Sequence, residues 1–248
     1  MANTSIAQKE CTQKGDQPAC AYQALNAGGF KPKIDGNLDD WKYVKGVFLG
    51  ADFWEVNGEQ YSGENDLSLT WWVTWDTNNL YVAFSVKDDK HQNTRAGDAI
   101  WNGDGAQLSI DPTGKKSVYA ATVYEYGYAL AGGEPTVWRW ATNAATKGEN
   151  SEYMIVRDES KKLTNYEIKI PAGDIAPVSL AAGKTIGWGF VMNESDSCDC
   201  QGGWIGWGSR SIVFGKDAPS LADLVFSATN VAVSPQAAIT TSWGELKK

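Results

Sequence analysis

Short apolar runs broken by turn residues fill most of the chain. Leu67 to Trp75 reads Leu-Ser-Leu-Thr-Trp-Trp-Val-Thr-Trp, close to strict alternation, and stops at Asp76-Thr77-Asn78-Asn79. Leu80 to Val86 follows as Leu-Tyr-Val-Ala-Phe-Ser-Val. Strand side chains point alternately to opposite faces, so two such runs around an Asn/Asp turn predict a β-hairpin. Residues 107–110, 119–130, 136–140, 153–156, 166–170, 186–192, 204–207 and 224–226 also read as strands, punctuated by Gly, Asn, Asp and Pro. No segment keeps a helical period over ten residues, and 171–175 has room for a single helical turn. The pattern predicts an all-β domain: a β-sandwich of two antiparallel sheets, jelly-roll or immunoglobulin-like, with little helix. Residues 1–29 read as a polar, irregular segment ending in Gly28-Gly29, residues 30–228 as the sandwich, and residues 229–248 as a tail. Internal repeats and linkers between domains are not apparent.

Composition narrows the function. The 248 residues are 42% hydrophobic and 21% charged, enough to bury a core without a metal or disulfide merely to fold. A net charge of −8 repels phosphate backbones and argues against a nucleic-acid partner. Tryptophan (12) and tyrosine (10) outnumber phenylalanine (7). Indole and phenol rings combine an apolar face with a polar edge, which suits ligands built the same way, sugars above all. Most of the tryptophans are expected in the core, leaving roughly two to four for function. One histidine, His91, and no G-x-S-x-G run speak against a Ser-His-Asp catalyst. A glycosidase needs only two carboxylates, but no stretch marks a particular pair among 30 acidic residues. The expectation is a protein that is not an enzyme.

No run approaches the ~20 apolar residues of a membrane helix. Met1-Ala2-Asn3-Thr4 reads as a start residue placed before a mature N-terminus whose signal has been removed. The four cysteines, Cys11, Cys20, Cys198 and Cys200, are even in number. Together these predict a secreted or cell-surface protein with disulfides. A local Cys11–Cys20 bridge around Lys14-Gly15-Asp16-Gln17-Pro18 is easy, a Cys198–Cys200 bridge is tight, and cross-pairing stays open. No histidine lies near either pair, which weakens a zinc reading.

Four segments occur in order. They are Ile34-Asp35-Gly36-Asn37-Leu38-Asp39-Asp40-Trp41; Trp75-Asp76-Thr77-Asn78-Asn79-Leu80-Tyr81-Val82 running on to Val86-Lys87-Asp88; Trp101-Asn102-Gly103-Asp104 running on to Asp111; and Ile186 to Glu194 followed by Trp204-Ile205-Gly206-Trp207. Over about residues 30 to 227 they resemble the family 9 carbohydrate-binding modules. The resemblance implies a β-sandwich that holds a sugar between two aromatic rings. One ring matches Trp101. The family's sugar-contacting carboxylate falls at Gln107, an amide that still bonds a hydroxyl. The second ring falls near Trp207 or Phe214, and the family's arginine on the next strand falls near Thr122. Asn102, Asp104, Asn193 and Trp204 complete the expected sugar-binding set. The family also implies structural calcium, for which Asp88, Asp89 and Asp111 offer carboxylates near turns. Haem-binding domains share the sandwich, but His91 and Met192 are the only attractive axial pair, so haem is not expected. A competing class is a self-associating surface-layer or filament subunit, joined through exposed edge strands.

Overall fold

A computed structural model describes residues 21–140, 150–197 and 200–232. Cys11, Cys20 and Cys198, most of the N-terminal segment and most of the tail lie outside them. The strands are β1 (Tyr22–Asn26), β2 (Val47–Leu49), β3 (Trp54–Val56), β4 (Leu67–Trp75), β5 (Asn79–Asp88), β6 (Gly105–Asp111), β7 (Tyr124–Ala131), β8 (Glu134–Trp140), β9 (Glu152–Asp158), β10 (Leu163–Pro171), β11 (Thr185–Glu194), β12 (Gly203–Trp207) and β13 (Ala222–Asn230). Among the described residues the one α-helical turn, α1, is Tyr119–Thr122. The single turn expected at 171–175 appears as a 3-10 turn at Ala172–Ile175. Among the described residues no helix is long and apolar enough to cross a membrane.

The expected hairpin forms as β4–β5, with Trp71 opposite Phe84. Its turn is tied by Asp76, whose Oδ1 accepts from the amides of Asn78 (2.7 Å) and Asn79 (2.8 Å). Among the described residues, thirteen strands belong to one hydrogen-bonded sheet, in the order β8-β7-β6-β11-β13-β1-β4-β5-β10-β9, with β2, β3 and β12 added at its flanks. The expected division into two antiparallel sheets is not a break in the hydrogen bonding. β1 pairs parallel with both β13 and β4 and joins the two halves. That strand lies in the segment read as irregular. Its short Tyr-Gln-Ala-Leu-Asn sequence carries no strong alternation, and Trp75 secures it by donating its indole N–H to the Ala24 carbonyl at 3.0 Å. The run expected as one strand over 119–130 is split. Val123 N–H bonds back to Tyr119 at 3.0 Å, and Tyr119-Ala120-Ala121-Thr122 turns before β7 begins.

The sheet closes over a core in which Trp71 meets Tyr22 (4.6 Å between ring centres), Phe190 (5.0 Å) and Trp207 (5.3 Å). Alternation decides which residues enter it. Leu80, Val82, Phe84 and Val86 of β5, Ala106, Leu108 and Ile110 of β6, and Ile186, Trp188, Phe190 and Met192 of β11 are all buried there.

The opening motif has a structural role. The buried Glu167 carboxylate accepts from the amides of Asp35 (3.0 Å) and Gly36 (2.6 Å) and from the Trp41 indole (2.8 Å). Gly36 has φ 84°, and a Cβ there would lie 2.3 Å from Val156 Cγ2. Only glycine fits.

Candidate functional site

The residues out of phase with the core build a cleft on the outer face of the sheet. Gln107 of β6 lies opposite Val191 on one side and Gly127 on the other. Glu125 of β7 and Trp204 of β12 share that face. A Cβ on Gly127 would stand 2.5 Å from Trp140, so the missing side chain makes room for that ring. Val191, Trp204, Ile212 and Val213 form a small apolar cluster beneath one wall. The cleft encloses about 480 Å³, and Asn57, Gln201 and Lys216 also line it.

Two exposed rings stand on its walls. Trp101, 39% exposed, comes from the 3-10 turn Gly97–Asn102 that precedes β6. Phe214, 64% exposed, comes from the loop after β12. Phe214 (φ 53°) and Lys216 (φ 61°) both adopt left-handed backbone around Gly215. A side-chain-bearing residue there costs about 1–2 kcal/mol, and such strain tends to collect at functional sites. Phe214 recovers part of the cost by meeting the edge of Trp204 at 5.3 Å.

The floor is a connected polar network. Asn193 donates to Gln107 Oε1 (3.0 Å) and to the Trp101 carbonyl (3.0 Å). Gln201 donates to Asn193 Oδ1 at 2.8 Å. Gln107 donates to Glu125 Oε1 at 3.2 Å. The Glu125 carboxylate also takes the Tyr119 hydroxyl (2.7 Å) and the Lys216 ammonium (2.5 Å). Burial, then the Glu125 charge, holds the Tyr119 phenol far above its ordinary range.

Of the residues expected at a sugar site, the structure brings Trp101, Gln107, Trp204 and Phe214 to the cleft and sets Asn193 beneath Gln107. Trp204 and Trp207 part company, because alternation turns Trp204 to the cleft face and Trp207 into the core, stacked 6.3 Å from Phe53. Asn102 turns back to the Ala99 carbonyl (3.4 Å). Thr122 bonds the Val118 carbonyl in α1 (3.2 Å), and Glu125 with Lys216 supplies the charge on the neighbouring strand instead. Neither was expected; Glu125 lay inside a predicted strand and Lys216 in a loop.

Asp104 lies on the other side of the sheet. Asp88 and Glu194 end β5 and β11, and Asp104 immediately precedes β6, all three in phase with the core residues, so three carboxylates replace apolar side chains where the core stops. Asp88 and Asp104 face His91, with Nδ1 at 3.5 and 3.6 Å, while His91 Nε2 meets the Leu130 carbonyl at 2.9 Å. Arg157 pairs with Asp88 at 3.1 Å. Carboxylate oxygens of Asp66, Glu194 and Asp196 form a second group, all within 4.8 Å of one another. Burial, then the charges of Asp104 and Asp88, pushes Glu194 far above the usual carboxylate range, and burial followed by Asp88 does the same to Asp104. Asp111 is apart from both groups. It closes the turn after β6, accepting from Thr113 (2.9 Å) and Lys116 (2.7 Å) amides. Met192, the other half of the haem pair, is buried in the core.

A family model described as carbohydrate family 9 binding domain-like matches residues 34–212. The chain belongs to that family. Two solved structures of a family 9 carbohydrate-binding module from Caldicellulosiruptor kristjanssonii share the fold. The complex with glucose superposes with TM-score 0.66 at 15% identity, covering 87% of this chain and 100% of that one. The complex with cellotriose gives TM-score 0.66 at 16% identity, covering 87% and 98%. No curated protein matches the chain. In this family 9 domain, then, the matched span runs from the Glu167-anchored opening through Trp101 and Gln107 to the end of the β12 cluster.

Proposed function

We propose that this family 9 domain is a secreted, non-catalytic binder of neutral carbohydrate, which it stacks between Trp101 and Phe214. The observation that carries the reading is the pair of exposed rings, Trp101 and Phe214, that line one cleft with a polar floor. A pyranose offers C–H faces to aromatic rings and hydroxyls to edge donors and acceptors. Gln107, Gln201, Asn57 and the Glu125–Lys216 pair offer both kinds. The family's known complexes with glucose and cellotriose make these the first sugars to test. The test is calorimetric titration of glucose and cellotriose into wild type and Trp101→Ala, with product analysis of the cellotriose sample. Binding that weakens in a folded variant, with cellotriose intact, is expected. Equal affinity in the folded variant would remove Trp101 from the site, and released glucose would make the protein an enzyme.

A further inference from the structure

We propose that Asn57, followed by Gly58 on the rim of the cleft, is a self-modifying site: the Gly58 backbone nitrogen displaces the Asn57 side-chain amide as ammonia, and the carboxylate left behind unfastens the cleft wall that carries Gln201. The sequence has two Asn-Gly steps, Asn57-Gly58 and Asn102-Gly103. Asn57 lines the cleft, and Asn102 follows the Trp101 that does. Asparagine before glycine is prone to ring closure, because glycine has no Cβ to hinder its own nitrogen. That nitrogen attacks the asparagine Cγ and the Cγ–Nδ2 bond breaks. The departing group takes the nitrogen's proton and leaves as ammonia. The five-membered imide then takes up one water. Attack of water at Cγ gives ordinary aspartate; attack at the backbone carbonyl gives aspartate linked through its side chain. No oxidant or reductant enters.

The fold separates the two steps. Asn57 and Gly58 are both exposed, just past the end of β3. Nothing lies within 4 Å of the place a Gly58 Cβ would take, and φ there is +112°, a region open to glycine. Among the described residues the Gly58 N–H has no hydrogen-bond acceptor, so the attacking nitrogen is free. Gly103 is the reverse. It is buried, and a Cβ on it would stand 2.7 Å from the Gln92 carbonyl oxygen and from Asn93 Cγ. The next amide, that of Asp104, bonds the same Gln92 carbonyl at 3.0 Å. A ring cannot close there without local unfolding. The consequence at Asn57 follows from what it holds. Its Nδ2 donates to the Gln201 carbonyl at 2.8 Å, and its N–H donates to the Gly202 carbonyl at 2.8 Å. A carboxylate in place of the amide loses the first donor and sets two acceptors face to face. The side-chain-linked product also adds a carbon to the backbone ahead of Glu59, whose carboxylate accepts from the Asp196 and Ser197 amides (3.0 and 2.9 Å). Both products therefore loosen the loop that brings Gln201 to the cleft. The loss of sugar affinity that follows rests on the carbohydrate reading, and the modification itself does not.

Incubation of the folded full chain in heavy-oxygen water at mildly alkaline pH, followed by peptide mapping with mass spectrometry, reads the reaction. The Asn57 peptide should convert several-fold faster than the Asn102 peptide, take up heavy oxygen and give aspartate in both linkages. The rate should rise with pH, because the attacking nitrogen must lose its proton. Asn57→Gln, whose longer side chain closes a ring slowly, should keep its amide. Asn57 converting no faster than Asn102, or a product with the ordinary linkage alone, would overturn the site. Hydrogen exchange reads the consequence without any sugar. Aged wild type and Asn57→Asp should both exchange faster at Gln201 and Gly202 than fresh wild type. Conversion with unchanged exchange would overturn the unfastening. Glucose affinity should fall several-fold in the same two samples. No glucose binding by fresh protein would count against the carbohydrate reading alone, with mapping and exchange still deciding the modification.

Discussion

Removing the Phe214 ring separates binding from stability. The ring is 64% exposed, which for a side chain of about 200 Å² leaves about 130 Å² open to a ligand. A sugar face covering half of that removes about 65 Å² from water, or about 1.6 kcal/mol at 25 cal/mol per Å². Phe214→Ala should therefore weaken glucose binding by roughly tenfold, since 1.4 kcal/mol is a factor of ten. The buried third of the ring, about 70 Å², contributes about 1.8 kcal/mol to folding, so alanine should destabilise by about that much. Glycine should do less harm than alanine, because φ is 53° and glycine accepts that backbone without the roughly 1 kcal/mol penalty of a Cβ. Phe214→Gly should thus lose the same affinity as alanine while melting about 2–4 °C higher than the alanine variant, the shift that 1 kcal/mol gives at this size. Calorimetry with glucose and thermal unfolding on the same samples measure both. Unchanged affinity in either folded variant would refute stacking on Phe214. Glycine less stable than alanine would refute the strain argument.

Trp101→Ala should cost about 1–3 kcal/mol of sugar affinity and less folding stability than the ~3–5 kcal/mol of a core tryptophan such as Trp71; the two melting temperatures, compared side by side, check this. Gln107→Ala should weaken binding by about 0.5–1.5 kcal/mol, one neutral hydrogen bond, read by the same titration. Glu167→Ala should lower stability by about 3 kcal/mol, because it leaves the buried Trp41 indole and Gly36 amide unpaired; denaturant unfolding measures it, and sugar affinity should not change. At high pH, burial keeps Tyr22 and Tyr126 pushed up to about 12. Unfolded phenols ionise near 10, so the folded state keeps its full stability below that pH and loses it as pH rises through the window above. Phenolate absorbance should therefore rise cooperatively with unfolding, and smooth titration of every tyrosine in folded protein would contradict the burial.

Alternation was enough to define the β4–β5 hairpin, whose first strand spans Leu67–Trp75 in both the pattern and the fold. Trp101 and Gln107 became candidates through the resemblance to the family, carried by the Trp101–Asp111 motif, and not through alternation. A period of two says that Trp204 and Trp207 face opposite sides, yet both are tryptophan, so the sequence cannot say which side is core. Packing on Trp71 and Phe53 makes that choice. Glu194 carried a readable signal, a carboxylate in phase with Ile186, Trp188, Phe190 and Met192, but its meaning depends on Asp66, brought beside it from far along the chain. The same holds for Glu125 with Lys216 and for Glu167 with Gly36 and Trp41. Strand periodicity is local and survives in the sequence, whereas the partner of a buried charge is set by sheet order, through contacts between residues more than 90 positions apart.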